Sequence, residues 1–157
     1  MKNIGRIILY IFLGSFIFIQ FFRVEKNLQD EYTQDDFLIQ NTSMPEALKT
    51  SFKTSCYDCH SDNTQYPWYA SVAPFSWIID QHIRNGKNEL NLSEYGSLSA
   101  KEKISVLTKI CEVISDSTMP PSNYLMFHKE ASLDADDIGA ICDWSDGMAL
   151  FIMRNRE

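Results

Sequence analysis

The chain has 157 residues, of which 45% are apolar, and its formal net charge is −7. This length suffices for one domain with a substantial core, and the composition is too apolar for a disordered protein. The acidic charge argues against nucleic acid as a partner, because no basic surface is available to neutralise phosphates. A small molecule or a basic protein remains possible as a partner.

An uncharged apolar run, residues 7–22, follows the basic residues Lys2 and Arg6 near the N-terminus. This pattern is typical of either a cleaved signal peptide or a retained anchor. No small-residue cleavage site ends the run, which continues as IQFFRVEKN, and a buried core helix would need a polar face that the run lacks. We therefore expect a transmembrane signal-anchor over residues 1–23. The basic flank favours a cytoplasmic N-terminus, which predicts a single-pass protein of the bacterial inner membrane with its domain facing the periplasm.

A polar, acidic stretch without clear periodicity follows the apolar run, over residues 24–41. We expect it to be a linker, so that the globular domain would occupy residues 42–157. Its first helix is predicted to start at Ser43-Met44-Pro45-Glu46, where serine can cap, proline suits the first turn and Glu46 completes a capping box. This helix would end near Ser55, directly before a pair of cysteines.

Two more helices are predicted from their termination and capping residues. The first covers Phe75 to Asn85 and is expected to stop at Gly86, a residue that is common just past a helix C-terminus. The second begins at a capping box formed by Ser99 and Glu102, after which apolar residues recur at helical spacing.

The last predicted helix follows a Met119-Pro120-Pro121 turn and opens at Asp134. Leu133 and Ile138 are spaced as a hydrophobic staple around this start. No segment of the sequence has the strict alternation of polar and apolar residues that marks a strand. The fold class predicted is therefore all-α, a small cytochrome c-like helical domain behind one transmembrane helix.

The chemistry-bearing motif is Cys56-Tyr57-Asp58-Cys59-His60, a C-x-x-C-H sequence typical of covalent haem attachment. Two thiols at this spacing can add to the two vinyl groups of one haem, and the next histidine can bind the iron. We therefore predict one haem c per chain, attached at Cys56 and Cys59, with His60 as an axial ligand of the iron.

Other uses of this motif fit the sequence less well. A thioredoxin-like redox pair would lie near a βαβ pattern, and no strand is predicted. A zinc site needs four ligands, whereas Cys111 and Cys142 are far apart and have no near partner. A disulfide between cysteines three positions apart is strained and uncommon. Cys111 and Cys142 themselves are either two buried small side chains or a disulfide, and the sequence leaves both open.

The second axial ligand of the iron is predicted to be Met119. It lies 59 residues after His60 in a turn that two prolines stiffen, and a thioether ligand suits electron transfer. His82 and His128 are the alternatives, although each is more often a hydrogen-bonded structural histidine.

The segment from Cys56 to Tyr95 carries CYDCHS, YPWY, HIRNGK and LNLSEY, and MPP follows further along the chain. This combination resembles the bacterial haem-binding domain family of small, anchored c-type haem proteins. The resemblance covers roughly Asp36 to Trp144. LNLSEY is a mild departure, since the family more often has a phenylalanine and a tryptophan there.

This resemblance implies haem c at Cys56, Cys59 and His60, and it makes Met119 the natural candidate for the second ligand. The order of helix, CxxCH, further helices, Met-Pro loop and final helix also resembles that of monohaem cytochromes c. The family name describes haem binding and implies little about physiological role.

The function predicted is electron transfer without catalysis, by a membrane-tethered periplasmic carrier that an acidic surface would steer towards a basic redox protein. Six-coordinate His/Met iron has no vacant position for a substrate. The alternative is a haem-based sensor or a peroxidase-like enzyme with an open or displaceable iron ligand. A peroxidase would want a base and a positive group near the iron; Arg84 and Lys87 could be imagined there, but a solvated helix end is the simpler interpretation.

Overall fold

The computed structural model describes residues 2–29 and 31–155. Within these residues the named secondary-structure elements are all helices, joined by turns and loops. Parts of the expected domains at Met1, Asp30, Arg156 and Glu157 lie outside this range. The α-helices are α1 Lys2–Ile19, α2 Phe37–Gln40, α3 Glu46–Ser55, α4 Tyr57–His60, α5 Phe75–Glu89, α6 Ala100–Ser115, α7 Ser122–Leu125 and α8 Ala135–Arg154. Short 3-10 helices cover Trp68–Ser71, Leu92–Ser97 and Lys129–Ala131.

The N-terminal helix does not match the predicted anchor. None of the helices in the described part of the chain is both long and apolar enough to cross a membrane. The predictions of a transmembrane helix and of a single-pass inner-membrane protein with a periplasmic domain were therefore wrong. The physical reason is length: the uninterrupted apolar part of α1 runs from Ile7 to Ile19, or 13 residues, whereas a bilayer core needs about 20.

The residues directly after α1 form hydrogen bonds with the rest of the molecule. The side-chain amide of Gln20 donates to the carbonyl of Ala73 at 3.1 Å and accepts from the amide of Ala73 at 2.9 Å. The indole of Trp77 donates to the carbonyl of Phe22 at 2.8 Å. These contacts fix the residues after α1 against the start of α5.

Part of the expected linker, residues 24–41, belongs to the core. Phe37 is completely buried and Leu38 nearly so, and both lie on α2. The side chain of Asp36 caps α2 by accepting from the amide of Leu38 at 2.9 Å. The polar composition of the stretch concealed this short apolar helix, because two buried residues give no periodicity.

The core is built around a cluster of aromatic rings from separated parts of the chain. The ring centre of Phe37 lies 4.8 Å from that of Phe52, 4.9 Å from that of Tyr95 and 5.7 Å from that of Trp144. This cluster joins α2, α3, the 3-10 helix Leu92–Ser97 and α8. It therefore fixes the position of α3, whose last residue precedes Cys56.

Helices α6 and α8 pack along each other. Ile110 and Ile114 of α6 and Ile141 of α8 are buried. Cys111 and Cys142 form a disulfide between the two helices, which decides between the two alternatives left open by the sequence.

The predicted helix starts are confirmed except at α3. Ser99 and Glu102 form the expected capping box at α6, and Asp134 caps α8. By contrast, α3 starts at Glu46 with Pro45 as its N-cap and without a side-chain cap, so the predicted start at Ser43 was wrong.

Candidate functional site

The C-x-x-C-H motif forms the junction between α3 and α4. The amide of Cys56 still donates to the carbonyl of Phe52 at 3.0 Å, in continuation of α3. The amide of His60 donates to the carbonyl of Cys56 at 3.0 Å, which closes the single turn of α4. The motif is therefore a compact turn at the end of a helix that the aromatic cluster anchors.

Tyr57, the first residue between the two cysteines, connects this turn to the core. The Tyr57 ring is buried, and its hydroxyl donates to Asp36 Oδ1 at 2.8 Å. Burial, followed by the charge of Asp36, raises the pKa of Tyr57, so the hydroxyl stays protonated and remains a donor. Burial also raises the pKa of Asp36.

The two cysteines of the motif are free thiols and are half-buried. Burial raises the pKa of Cys56 to about 12 and that of Cys59 to about 11, with smaller contributions from the neighbouring Cys59 and Asp58 respectively. A thiol must ionise to act as a metal ligand or a redox nucleophile, so these environments disfavour both uses. In the described part of the chain, no group of three or more His, Cys, Asp or Glu side chains is arranged to hold a metal ion.

The imidazole of His60 is oriented by one backbone carbonyl. Its Nδ1 lies 3.1 Å from the carbonyl oxygen of Leu90, the residue that follows α5. Because a carbonyl can only accept, Nδ1 must carry the proton, and the lone pair of the neutral ring is then on Nε2. A metal-binding histidine is commonly held in this way, with its other nitrogen donating to a carbonyl.

Helix α5 approaches the motif closely at Gly86. A Cβ atom added to Gly86 would collide with the carbonyl oxygen of Cys59 and would lie 3.0 Å from its carbonyl carbon and 3.2 Å from its Cβ. Gly86 is therefore an interior residue of α5 rather than its end, and the prediction that the helix stops there was wrong. Its missing side chain lets α5 continue past the motif and place Leu90 beside His60.

Two adjoining apolar cavities lie beside His60, and Met119 lines both of them. The larger has a volume of about 470 Å³ and the smaller about 310 Å³, within the range of ligand-binding cavities. Cys56 borders the larger cavity and Cys59 the smaller, while His60 borders both. The larger cavity is walled mainly by apolar side chains, among them Phe52, Leu90, Leu92, Val106, Ile110, Val113 and Ile114.

Met119 is held in place from the end of α6. Its amide donates to the carbonyl of Val113 at 3.1 Å, and the amide and hydroxyl of Thr118 donate to the same oxygen at 3.0 and 2.9 Å. Met119 is 40% exposed, so its side chain is not packed in the hydrophobic core. The four residues predicted from the sequence as a haem site, Cys56, Cys59, His60 and Met119, thus border one continuous pair of cavities.

The two alternative histidines differ in their surroundings. His128 Nδ1 lies 3.2 Å from Glu130 Oε1, and its Nε2 lies 3.0 Å from the hydroxyl of Tyr69. The carboxylate requires a proton on Nδ1, so Nε2 accepts from Tyr69 and has no lone pair left for a metal. His82 is exposed on α5 and borders the smaller cavity together with His60 and Met119.

The aromatic residues after the motif lie on different surfaces of the domain. Tyr69 and Phe75 line a third cavity, of about 260 Å³, which Cys59 also borders. Trp68 is 83% exposed and shields nothing. The hydroxyl of Tyr66 accepts from the amide of Asn27 at 2.8 Å and belongs to a different surface.

A further contact joins the motif to the Met-Pro-Pro region. The hydroxyl of Tyr124 donates to Asp58 Oδ2 at 2.7 Å, and the other carboxylate oxygen accepts from the amide of Gln65 at 2.8 Å. Burial, followed by the hydrogen bond to Asp58, raises the pKa of Tyr124 and keeps its hydroxyl protonated. Sequence reasoning missed this pair, together with Gly86 and Leu90, although HIRNGK did mark the segment that contains Gly86.

The donor set and its surroundings fit a covalently attached haem. Two neutral thiols flank an imidazole whose Nε2 lone pair is free, and a thioether borders the same apolar cavities. A haem iron takes most of its ligands from the porphyrin and needs only one or two protein side chains, so a larger ligand cluster is not required.

Comparison with known proteins agrees with this chemistry. Residues 14–147 match the model of a protein family described as "Haem-binding domain". No curated protein and no solved structure matches the chain. Because the match covers most of the chain, the protein belongs to the haem-binding domain family.

Proposed function

We propose that the protein binds one haem covalently, as haem c, through Cys56 and Cys59, with His60 and Met119 as the axial ligands of its iron. The observation that carries this proposal is the environment of His60. Its Nδ1 donates to the carbonyl of Leu90 at 3.1 Å, and the side chain borders the two cavities that Met119 also borders. Because a carbonyl must accept, the tautomer is fixed and Nε2 is left for the iron.

The two thiols can attach a haem by simple addition. In each case the S–H bond adds across a vinyl C=C bond, so the sulfur bonds to carbon, the hydrogen goes to the other vinyl carbon and nothing is released. The raised pKa values keep Cys56 and Cys59 in the thiol form in which that hydrogen is present. Once bound, haem c supplies a one-electron couple between ferric and ferrous iron. The apolar walls around Cys56 exclude water, which raises the reduction potential.

Covalent attachment is tested by haem staining after denaturing electrophoresis of protein made with a cytochrome c maturation system. We expect a stained band at the mass of the protein, and weak or no staining for Cys59→Ala. The Cys111→Ser/Cys142→Ser double variant is the control, because it removes cysteine sulfurs elsewhere in the domain but leaves the motif intact. Absence of a stained band from the wild type would overturn the proposal.

Ligation by Met119 is tested by the sulfur-to-iron absorption band of the oxidised protein near the red end of the visible spectrum. We expect the wild type to have this band and Met119→Ala to lose it. The matched variant is His82→Ala, because His82 borders the same cavity. If the band is missing in the wild type and His82→Ala changes the spectrum, the iron has two histidine ligands and the Met119 assignment is wrong.

We further propose that the protein is an electron carrier and not an enzyme. The two positive groups nearest to His82 on α5 are already paired: Arg84 contacts Asp80 at 2.9 Å, and Lys87 forms an ion pair with Asp62. Neither is free to polarise a peroxide, which argues against a peroxidase-like role. The net charge of −7 supports a basic redox protein as partner, with an association rate that falls as salt rises.

Carbon monoxide separates the carrier from the alternative of a sensor or peroxidase-like enzyme. An iron with both axial positions occupied binds the gas slowly or not at all, and this is the result we expect for the reduced wild type. Met119→Ala should bind it readily, which confirms that the assay detects an open position. Fast, stoichiometric binding by the wild type would exclude the carrier and favour the sensor.

A further inference from the structure

Within the loop that carries Met119, Pro120 alone is buried. This loop, residues 116–128, connects α6 to the 3-10 helix Lys129–Ala131 and includes α7. Helix α7 contributes no buried residue, and Met126 and Phe127 are 68% and 67% exposed. Individual polar contacts therefore matter more for the position of this loop than they do elsewhere in the domain.

Hydrogen bonds attach the loop to the rest of the domain at its start, at Tyr124 and at His128, whose Nε2 lies 3.0 Å from the hydroxyl of Tyr69. At its start, Thr118 and Met119 bond to the carbonyl of Val113, at the end of α6. Towards its other end, the hydroxyl of Tyr124 donates to Asp58 Oδ2 at 2.7 Å. Met119 itself takes part in the attachment at the start of the loop, and Tyr124 bonds the following part of the loop to the motif, so both attachments affect the distance of Met119 from the motif.

Asp58 is a rigid acceptor for this hydrogen bond. Its other carboxylate oxygen accepts from the amide of Gln65 at 2.8 Å, and its backbone carbonyl accepts from the hydroxyl of Thr64 at 2.8 Å. Asp58 is also the residue directly before Cys59. A bond to its side chain therefore fastens the loop to the haem-attachment turn itself.

Both partners of this hydrogen bond line the smaller cavity. Asp58 and His60 border it from the motif, and Met119 and Tyr124 border it from the loop. On its outer side, Tyr124 stacks on His128 with the ring centres 4.3 Å apart and the planes nearly parallel. The Tyr124 ring is thus held by His128, while its hydroxyl joins the Met119 loop to the motif.

We propose that Tyr124 is a positioning residue whose hydrogen bond to Asp58 holds the Met119 loop against the haem-attachment turn and so keeps Met119 bound to the iron. This inference rests on the proposed His/Met ligation. Without the bond, the haem remains attached by both cysteines and His60, but the loop opens more often. An added ligand then competes more successfully for the position of Met119.

The test is a titration of the oxidised holoprotein with imidazole, followed by the loss of the sulfur-to-iron band. We expect Tyr124→Phe to bind imidazole about tenfold more tightly than the wild type, the effect of losing one hydrogen bond to a charged group. Haem staining and the helical circular dichroism signal should stay unchanged. Tyr66→Phe is the matched control, because it also loses one tyrosine hydroxyl bond, to the amide of Asn27, but leaves the Met119 loop untouched.

A double-variant cycle with Asp58→Ala makes the test specific for the pair. If Tyr124 acts through Asp58, adding Tyr124→Phe to Asp58→Ala produces little further change in imidazole affinity. Fold-changes that multiply would overturn the proposal, as would a Tyr124→Phe protein that binds imidazole no more tightly than Tyr66→Phe. A wild type without the sulfur-to-iron band would instead refute His/Met ligation itself. This outcome distinguishes failure of the proposed function from failure of the positioning role proposed for Tyr124.

Discussion

Replacement of Gly86 by alanine tests the packing that places α5 beside the C-x-x-C-H motif. The added Cβ would collide with the backbone of Cys59, its carbonyl oxygen being the closest atom. Overpacking costs about 1–3 kcal/mol, and we expect the upper end because backbone atoms cannot move aside as a flexible side chain can. Alanine in a helix interior offsets about 1 kcal/mol of this cost. The expected net loss is therefore about 2 kcal/mol of unfolding free energy.

This loss corresponds to a fall in Tm of about 4–8 °C for a domain of this size, measurable by circular dichroism at 222 nm during heating. Gly139→Ala in α8 is the matched control, because a Cβ at Gly139 meets nothing within 4 Å. It should raise Tm by up to about 4 °C through helix propensity alone. If Gly86→Ala is as stable as Gly139→Ala, α5 does not approach Cys59 as described, and the account of how Leu90 reaches His60 fails.

Three further changes test the rest of the fold. Phe37→Ala should cost about 3–5 kcal/mol in a urea titration, because a fully buried ring is removed; a cost near zero would restore the linker interpretation. The Cys111→Ser/Cys142→Ser double variant should lose about 3–4 kcal/mol, the loop-entropy value for 31 residues, and a loss below 1 kcal/mol would show that the disulfide does not form. Burial raises the pKa of Asp36 above its ordinary value of 3.8, so folding favours its protonated form and stability should fall as pH rises through the raised pKa. Asp36→Asn should flatten this part of the pH–stability curve, and an unchanged curve would exclude Asp36 as its source.

The C-x-x-C-H motif could be recognised from the sequence because its chemistry is local. Five consecutive residues contain both thiols and the imidazole, and a helix start before them and a proline-flanked methionine after them complete the pattern. The capping box at Ser99 and the helix start at Asp134 are local for the same reason and were predicted correctly.

The contacts that complete the site could not be predicted because they join distant residues. The Leu90 carbonyl is 30 residues from His60, and any residue type offers the same backbone oxygen there. Gly86 was interpreted as a helix end, since its role depends on how closely Cys59 approaches. Tyr124 has no sequence signature that relates it to Asp58, 66 residues earlier.

Two errors arose because composition was averaged over long stretches. The linker predicted for residues 24–41 is acidic on average, and this concealed the buried pair Phe37 and Leu38. The predicted anchor counted apolar residues up to Phe22, whereas the helix ends at Ile19.

Peptide mapping of the holoprotein tests the central claim most directly. The protein is denatured, extracted with acidified solvent to remove haem that is not covalently bound, and digested with a protease; mass spectrometry then locates the haem. We predict one haem per chain, on the peptide that contains Cys56, Cys59 and His60. Complete removal of haem by the extraction, or a haem-bearing peptide that lacks the motif, would contradict the proposed attachment.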